Sequence, residues 1–332
     1  MFKLLTCWTV VLLSIAALPV FGQNQNFVFR DKLAYPVALS NLWGYVDSDG
    51  NEYGLVGTYN RLSIVDVNNP DSLVQLFEVP HPGSTWCEVK TWNHYAYVVN
   101  ETGGGMIIVD LSDLPNGITQ TTFTGYDLKT AHTLWIDENG ILYLFGYDTN
   151  AGLEANEKGA MVLDLNADPT NPVLLGTHND RYFHDGFVRG DTLWGSAIYD
   201  GQLVVMDVTD KSNFETMALQ TTPLAFTHNA WPTSDNQFIF TTDEKSNSHL
   251  TAYDVSDLGN IQELDRVQSN PGSNAVIHNA HLVDNDFAAA SYYNDGVITV
   301  DVSQPDNMII VGSYDTSPLG GNGFTGAWGV YP

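Results

Sequence analysis

The chain has 332 residues, and its 12 lysines and arginines face 39 aspartates and glutamates, which gives a formal net charge of −27. A field this negative repels phosphate backbones and argues against nucleic acid as a partner. It suits a protein that stays soluble outside the cell, and equally one that attracts cations. Two cysteines, Cys7 and Cys87, provide no disulfide framework.

Residues 1–22 have the pattern of a secretory signal peptide. A short basic start, "MFK", precedes the apolar run "LLTCWTVVLLSIAALPV", and small residues lead to Gln23. The run is shorter than the roughly 20 residues that a membrane span requires, although a retained N-terminal anchor is the alternative. We therefore expect an exported, monomeric protein whose residues 23–332 form a single domain without a further membrane span.

A five-residue apolar phrase recurs six times along this domain. Examples are "LSIVD", "LVVMD" and "VITVD", each followed by a cluster of turn-forming residues. Aspartate at such a junction can accept hydrogen bonds from the turn that it opens, so each phrase is predicted to be a strand that ends there. The six phrases end at Asp66, Asp110, Asp164, Asp207, Asp254 and Asp301.

The residues around each phrase predict four short antiparallel strands. Residues 184–208 divide into three strands at two turns, and a fourth strand follows the turn cluster in several repeats. A four-stranded unit of about 45 residues without helical periodicity is typical of a β-propeller blade, whereas a β-sandwich does not predict the repeat. We predict an all-β propeller of seven blades. In the incomplete last blade, "FVFRDKLAYP" provides the outer strand and "GAWGVYP" the inner one; six blades is the alternative.

Four consecutive repeats carry a histidine before the first strand. Aligned on the apolar residue four positions later, these are His132, His184, His228 and His278, with Thr85 at the corresponding place in the second repeat. First strands lie nearest the axis of a propeller. We therefore expect the four imidazoles to surround the central channel.

Carboxylates recur about sixteen residues after these positions. Two strands and a turn return the chain to its starting level, so the acids should lie on the same face as the histidines. Trp86 and Trp328 should lie there too. The predicted acids are Glu101, Asp148, Asp200, Asp243, Glu244 and Asp295.

Two interpretations of this face remain open. In the structural one, each histidine bonds the acid of its own blade and holds the hairpin to the incoming loop. In the functional one, His132, His184, His228 and His278 point to the axis, and the acids orient them around a divalent metal ion or a polar ligand. The first two repeats lack the histidine, so the fold does not require it.

The chain resembles the choice-of-anchor B family of bacterial exported proteins, which are built from LVIVD repeats. The resemblance rests on "NLWGYVDSDGNEYGLVGT", "HNAW", "FTTDE", "SYYNDGVITVDVS" and the ending "GAWGVYP", and it covers about residues 40–332. It implies a secreted or cell-surface β-propeller of undefined biochemical activity. The family usually continues past "GAWGVYP" into the rest of a blade and an anchoring region.

No nucleophile motif such as GxSxG is present, which favours a non-catalytic protein. We expect a binding module that contacts an extracellular protein, glycan or polymer through the face rich in histidine and carboxylate. The first alternative is a metal-dependent enzyme or metal-binding protein that uses the four histidines. The second is an adhesion module whose role is only spacing on the cell surface.

Overall fold

A computed structural model of the protein describes residues 24–332, so the predicted signal peptide lies outside the described residues. These residues form six four-stranded antiparallel sheets, each in simple sequential order from the first strand to the last. In blades 1 to 3 the strands are β1 Leu39–Val46, β2 Glu52–Thr58, β3 Arg61–Asp66, β4 Val74–Pro80, β5 Cys87–Trp92, β6 Tyr95–Asn100, β7 Met106–Asp110, β8 Thr119–Phe123, β10 Thr133–Ile136, β11 Ile141–Phe145, β13 Ala160–Asp164 and β14 Val173–His178.

The other three blades repeat the pattern without insertion. Their strands are β15 Asp185–Arg189, β16 Thr192–Ala197, β17 Gln202–Asp207, β18 Glu215–Thr221, β19 Thr227–Pro232, β20 Phe238–Asp243, β21 Leu250–Asp254, β22 Gln262–Val267, β23 Ala280–Val283, β24 Phe287–Ser291, β25 Val297–Asp301 and β26 Ile309–Tyr314. Between these sheets, β9 Leu128–Thr130 pairs with β12 Asp148–Thr149, and Gly125–Asp127 and Ala155–Glu157 form single 3₁₀ turns. The protein is an all-β propeller, as the repeat predicts.

The third strand of every blade ends at the predicted aspartate. In each case the carboxylate accepts a hydrogen bond from the backbone N–H two residues later, at 2.8–3.1 Å. The aspartate side chain thus accepts a hydrogen bond from a backbone N–H of the turn. This bond stabilises the turn conformation, and the strand therefore ends at the aspartate.

The hydrophobic core lies between the blades. Leu55 and Ile64 of blade 1 pack in one cluster with Val89 and Val98 of blade 2, all fully or almost fully buried. Similar clusters join each later blade to the next, up to blades 5 and 6, so neighbouring sheets bury their facing surfaces against each other. The inner strands, which are buried on both faces, are held in a fixed position around the axis.

The structure has six blades, so the prediction of seven is wrong and the alternative of six is confirmed; no seventh four-stranded sheet forms among the described residues. The segments predicted for a seventh blade lie between blades 6 and 1. Gln25 pairs with Ser313 on the outer strand of blade 6, with both N–H···O distances at 2.9 Å. Ala327 pairs with Tyr293 near the axis, and Tyr331 packs against Trp43 of blade 1. Each terminal segment thus makes one isolated bridge, and neither forms a strand; the predicted outer strand, residues 27–36, begins two residues after the paired Gln25.

None of the helical segments between residues 24 and 332 is both long and apolar enough to cross a membrane.

Candidate functional site

The histidine position lies where each first strand reaches the channel. The blades can be aligned on the aspartate that ends each third strand, by following the residue pairs from the third strand to the first. In this alignment Cys87 occupies the position equivalent to His184. The alignment of Thr85 with the histidines is therefore wrong by two residues. Blade 1 carries Ser40 at this position, and the Ser40 hydroxyl oxygen accepts a hydrogen bond from the Cys87 backbone N–H at 2.9 Å. The scaffold thus tolerates serine and cysteine where the other four blades carry histidine.

The four histidines form a continuous arc at one end of the channel. Ring centroids lie 4.0 Å apart between His132 and His184, and 4.3 Å apart for each of the next two pairs. His228 is only 3% exposed and His278 only 5%. The arc continues to Trp328, whose ring centroid is 5.1 Å from that of His278.

Burial keeps most of the arc neutral. It lowers the pKa of His278 to about 3, and it lowers the pKa of His184 and of His228 well below the usual value. Burial alone would also lower the pKa of His132. The hydrogen bond and the charge of Glu101 outweigh this effect, so the pKa of His132 lies above the usual value. One end of the arc therefore holds a proton up to a higher pH than a free imidazole would, and the other end presents neutral rings.

Two of the predicted acids reach the histidines, and both do so across a blade boundary. Glu101 of blade 2 lies 2.5 Å from Nδ1 of His132 in blade 3. Glu244 of blade 5 lies 3.8 Å from Nε2 of His228 and 3.8 Å from Nε2 of His278 in blade 6. The interpretation in which each histidine bonds the acid of its own blade is therefore wrong for His132 and His278.

The other four predicted acids lie on the same face, but their carboxylates contact side chains of neighbouring loops. Asp148 and Asp200 each lie near a basic side chain, at 3.0 Å and 3.6 Å. Asp243 accepts a hydrogen bond from the Thr222 hydroxyl at 2.6 Å, and Asp295 accepts from two serine hydroxyls at 2.9 and 3.0 Å. These carboxylates hold the hairpins in place and do not contact an imidazole.

The two predicted tryptophans flank the arc. Trp86 is 43% exposed, and its ring centroid lies 6.4 Å from that of His132. At the other end, the Trp328 carbonyl accepts a hydrogen bond from Nδ1 of His278 at 2.7 Å. This bond repeats the one from Nδ1 of His184 to the His228 carbonyl at 3.3 Å. Trp328 therefore takes the place that a histidine of a next blade would have.

A second polar layer lies one residue deeper, and sequence reasoning missed it. Both oxygens of Glu88 accept from the Asn41 amide, at 2.8 and 2.9 Å, and Asp185 accepts from the Asn229 amide at 2.9 Å. Burial raises the pKa of Glu88 and of Asp185. The sequence did contain a signal for this layer, because a polar residue directly follows the histidine position in every blade. These residues are Asn41, Glu88, Thr133, Asp185, Asn229 and Asn279.

Aromatic side chains close the channel below this layer. Phe187 packs 4.2 Å from Trp135, and His281 packs 4.3 Å from Trp231. Lys90 is 8% exposed, and its Nζ lies among these rings, 3.7 Å from a Glu88 oxygen and 4.3 Å from the Trp43 centroid. A buried ammonium beside a carboxylate and an aromatic face is stabilised by both.

The cavity within these layers has a volume of about 40 Å³. A water molecule needs about 10–15 Å³ of such space, so the cavity has room for one ion or for about three to four water molecules. A larger ligand would have to bind at the mouth, against the histidine arc and the two tryptophans.

Four histidines do not converge on one centre. Within the described part of the chain, the set of three or more side chains close enough to share a metal ion is His228, Glu244 and His278, whose ligand atoms all lie within 4.8 Å of one another.

Two stretches of the chain, residues 83–119 and 283–316, match the LVIVD repeat. The chain therefore contains LVIVD repeats in blades 2 and 6. No curated protein matches the chain significantly.

Several solved β-propellers are similar in fold. The periplasmic gluconolactonase PpgL of Pseudomonas aeruginosa superimposes with a TM-score of 0.58 at 14% identity, covering 84% of each chain. The Cps50 (Swd1) propeller domain of Myceliophteria thermophila gives 0.57 at 11% identity, covering 86% of this chain and 91% of that one. A protein from Lactobacillus plantarum gives 0.58 at 16% identity, covering 84% and 82%. At these identities the likeness concerns the fold alone.

Proposed function

We propose that the protein is an exported β-propeller that binds an extracellular ligand at the mouth formed by the histidine arc, Glu244, Trp86 and Trp328. The observation that carries the proposal is the arc itself. Four buried imidazoles meet in consecutive blades, whereas Ser40 and Cys87 fill the same position elsewhere. Ser40 and Cys87 show that the fold does not require histidine at this position, so the arc is better explained by binding.

Among extracellular ligands, the chemistry of the mouth favours a glycan. An exposed indole such as that of Trp86 offers a flat apolar surface, and imidazoles and carboxylates offer hydrogen bonds to hydroxyl groups. The small cavity would admit only one polar group of such a chain. A protein or another polymer is the competing ligand class.

Export and surface location follow from the sequence of residues 1–22 and from the resemblance to the choice-of-anchor B family, to which we propose the chain belongs. The LVIVD repeats support this assignment. A metal-dependent enzyme stays the alternative activity. The gluconolactonase of Pseudomonas aeruginosa shares only the fold, so it adds no support for catalysis.

A glycan array tests the proposal. The purified protein should bind a defined set of immobilised oligosaccharides or surface polysaccharides, and Trp86→Ala should weaken that binding at least tenfold because the stacking surface is lost. Phe287→Ala is the matched control, since Phe287 is 40% exposed at the opposite end of blade 6.

Absence of saturable glycan binding, or equal binding by Trp86→Ala, would contradict the proposal. Capture on a peptide array instead would assign the mouth to a protein ligand. Release of cleaved products from a bound glycan would favour the enzyme alternative.

A further inference from the structure

We propose that His228, Glu244 and His278 bind a divalent transition metal ion of the Zn²⁺ class, through Nε2 of each histidine and a carboxylate oxygen. The three side chains come from the first strand of blade 5, from the hairpin that follows β20, and from the entry to the first strand of blade 6. Both nitrogen–oxygen distances are 3.8 Å. Two imidazoles and one carboxylate form a ligand set that zinc commonly uses.

The hydrogen bonds determine which atoms face Glu244. Nδ1 of His278 lies 2.7 Å from the Trp328 carbonyl, and a carbonyl can only accept, so the ring proton lies on Nδ1. With its proton held on Nδ1 by this bond, the neutral His278 ring carries a lone pair on Nε2. That lone pair lies 3.8 Å from Glu244 Oε1.

The pocket therefore places the Nε2 lone pair of His278 opposite the carboxylate of Glu244. The 3.8 Å separations exceed hydrogen-bond distance, so neither histidine donates to Glu244 through Nε2. Buried lone pairs around one space are stabilised by a cation placed between them.

The spacing is close to that of a metal site. Metal–nitrogen and metal–oxygen bonds of about 2.0–2.2 Å in a tetrahedron separate the ligand atoms by about 3.3–3.6 Å. The observed 3.8 Å pairs, with all ligand atoms within 4.8 Å, need side-chain movements of less than roughly 1 Å to reach that geometry.

Neighbouring groups hold the ligands in orientation. The Tyr293 hydroxyl donates to Glu244 Oε1 at 2.5 Å, and the Tyr293 ring packs 5.0 Å from that of His278. A tyrosine bond to the carboxylate and a carbonyl bond to the imidazole are the outer contacts that orient metal ligands in proteins. Tyr293 is thus a positioning residue of the site.

Three protein ligands leave a fourth position open. It would face the mouth, where a hydroxyl or carboxylate oxygen of a bound ligand could coordinate. In this respect the metal site rests on the proposed function, because the open coordination position would contact the ligand that is proposed to bind at the mouth. Metal binding is nevertheless measured without any glycan, and glycan binding can be measured in EDTA, so either can fail separately.

The experiment is a calorimetric titration of EDTA-stripped protein with Zn²⁺ at neutral pH. We expect one ion per chain. Glu244→Gln keeps the shape of the side chain but removes its charge and should weaken zinc binding at least tenfold. His278→Ala should abolish stoichiometric binding. Tyr293→Phe should weaken zinc binding by about 10–100-fold, as losses of outer contacts do.

Co²⁺ supplies a second readout that loss of stability alone would not produce. The visible band of the bound ion should change in Tyr293→Phe and disappear in His278→Ala. His94→Ala is the matched control, because His94 is half exposed beside Asp110 at the other end of blade 2, and it should bind zinc as the unaltered protein does.

Substoichiometric zinc binding by the unaltered protein, or equal affinity in Glu244→Gln and the unaltered protein, would overturn the proposal.

Discussion

At the scale of single residues, the contact between Glu101 and His132 shows how the ring geometry assigns partners. The acid lies at the end of β6 in blade 2, and the histidine at the entry to blade 3, yet their side chains meet at 2.5 Å. Most of the imidazole is buried, while about a third of the Glu101 side chain is exposed. The pair thus joins two blades through one charge-assisted hydrogen bond.

We predict that Glu101→Gln lowers the pKa of His132, because burial is then opposed only by the smaller effects of the Glu88 and Asp185 charges. In the unaltered protein the folded-state pKa is raised, so the stabilisation is fully present below about pH 6.5 and is lost as pH rises through the raised value. The variant should therefore be less stable than the unaltered protein at pH 6, and the gap should shrink by pH 9. Imidazole NMR titration and urea unfolding at both pH values test this, and a pH-independent gap would contradict it.

The histidines could be found from the sequence, but most of their partners could not. His132, His184, His228 and His278 recur at a fixed offset from the apolar residues of each first strand, and an offset that repeats with the blade is visible without coordinates. The direction in which Glu101 or Asp148 leans is set by the angle between adjacent blades, which no residue spacing records. A count of sixteen residues thus located the face correctly and the contacts incorrectly.

The deeper layer was missed for a different physical reason. Glu88 lies between Cys87 and Val89, and Asp185 begins its strand directly after His184, so each looks like a single polar residue when its own repeat is considered alone. Their significance depends on six first strands meeting at one axis, where Asn41 and Asn229 satisfy the buried carboxylates.

At the scale of elements, the third strands were predictable to the residue because each ends at an aspartate that pairs with its own turn. The terminal segments were predictable only in part. Both segments lie beside blade 6 as expected, Gln25 against its outer strand and Ala327 against Tyr293, but the predicted strands at residues 27–36 and in "GAWGVYP" do not form. Both serve the junction between blades 6 and 1, because without middle strands neither can build a sheet of its own.

That junction yields a prediction about Gly329. A Cβ at this residue would lie 2.1 Å from the Asn41 side-chain oxygen, whereas a Cβ at Gly320 would meet nothing within 4 Å. Gly329→Ala should therefore lower the free energy of unfolding by about 1–3 kcal/mol through overpacking. Gly320→Ala, a matched change in the same segment, should leave it nearly unchanged. Equal unfolding curves for the two variants would show that the segment does not brace the junction.

At the scale of the whole molecule, the channel makes stability depend on pH. Burial lowers the pKa of His278 and of His281 to about 3, and that of His184 and His228 well below the usual value. Groups with depressed folded-state pKa values stabilise the protein fully above pH 6.5. Between about pH 6.5 and 3 the unfolded chain binds more protons, so stability falls as pH falls.

We predict that the free energy of unfolding declines steadily below pH 6.5. Each buried histidine contributes up to about 1.4 kcal/mol per pH unit. His281→Phe removes one titrating ring while keeping an aromatic side chain between Trp231 and Trp43. Urea unfolding between pH 7.5 and 4.5 should show a shallower decline for this variant. An unchanged slope would mean that His281 is protonated in the folded channel.

The unequal occupancy of one strand position has a consequence for the symmetry of the propeller. Six blades repeat around an axis, and a site built from identical residues would present the same contacts after every rotation by one blade. Here the nitrogen-lined arc covers blades 3 to 6, while Ser40 and Cys87 occupy blades 1 and 2. One side of the mouth is therefore lined by imidazoles, and the other carries serine and cysteine at the same position. A molecule that docks along the axis makes different contacts with the two sides, which favours one orientation over the others.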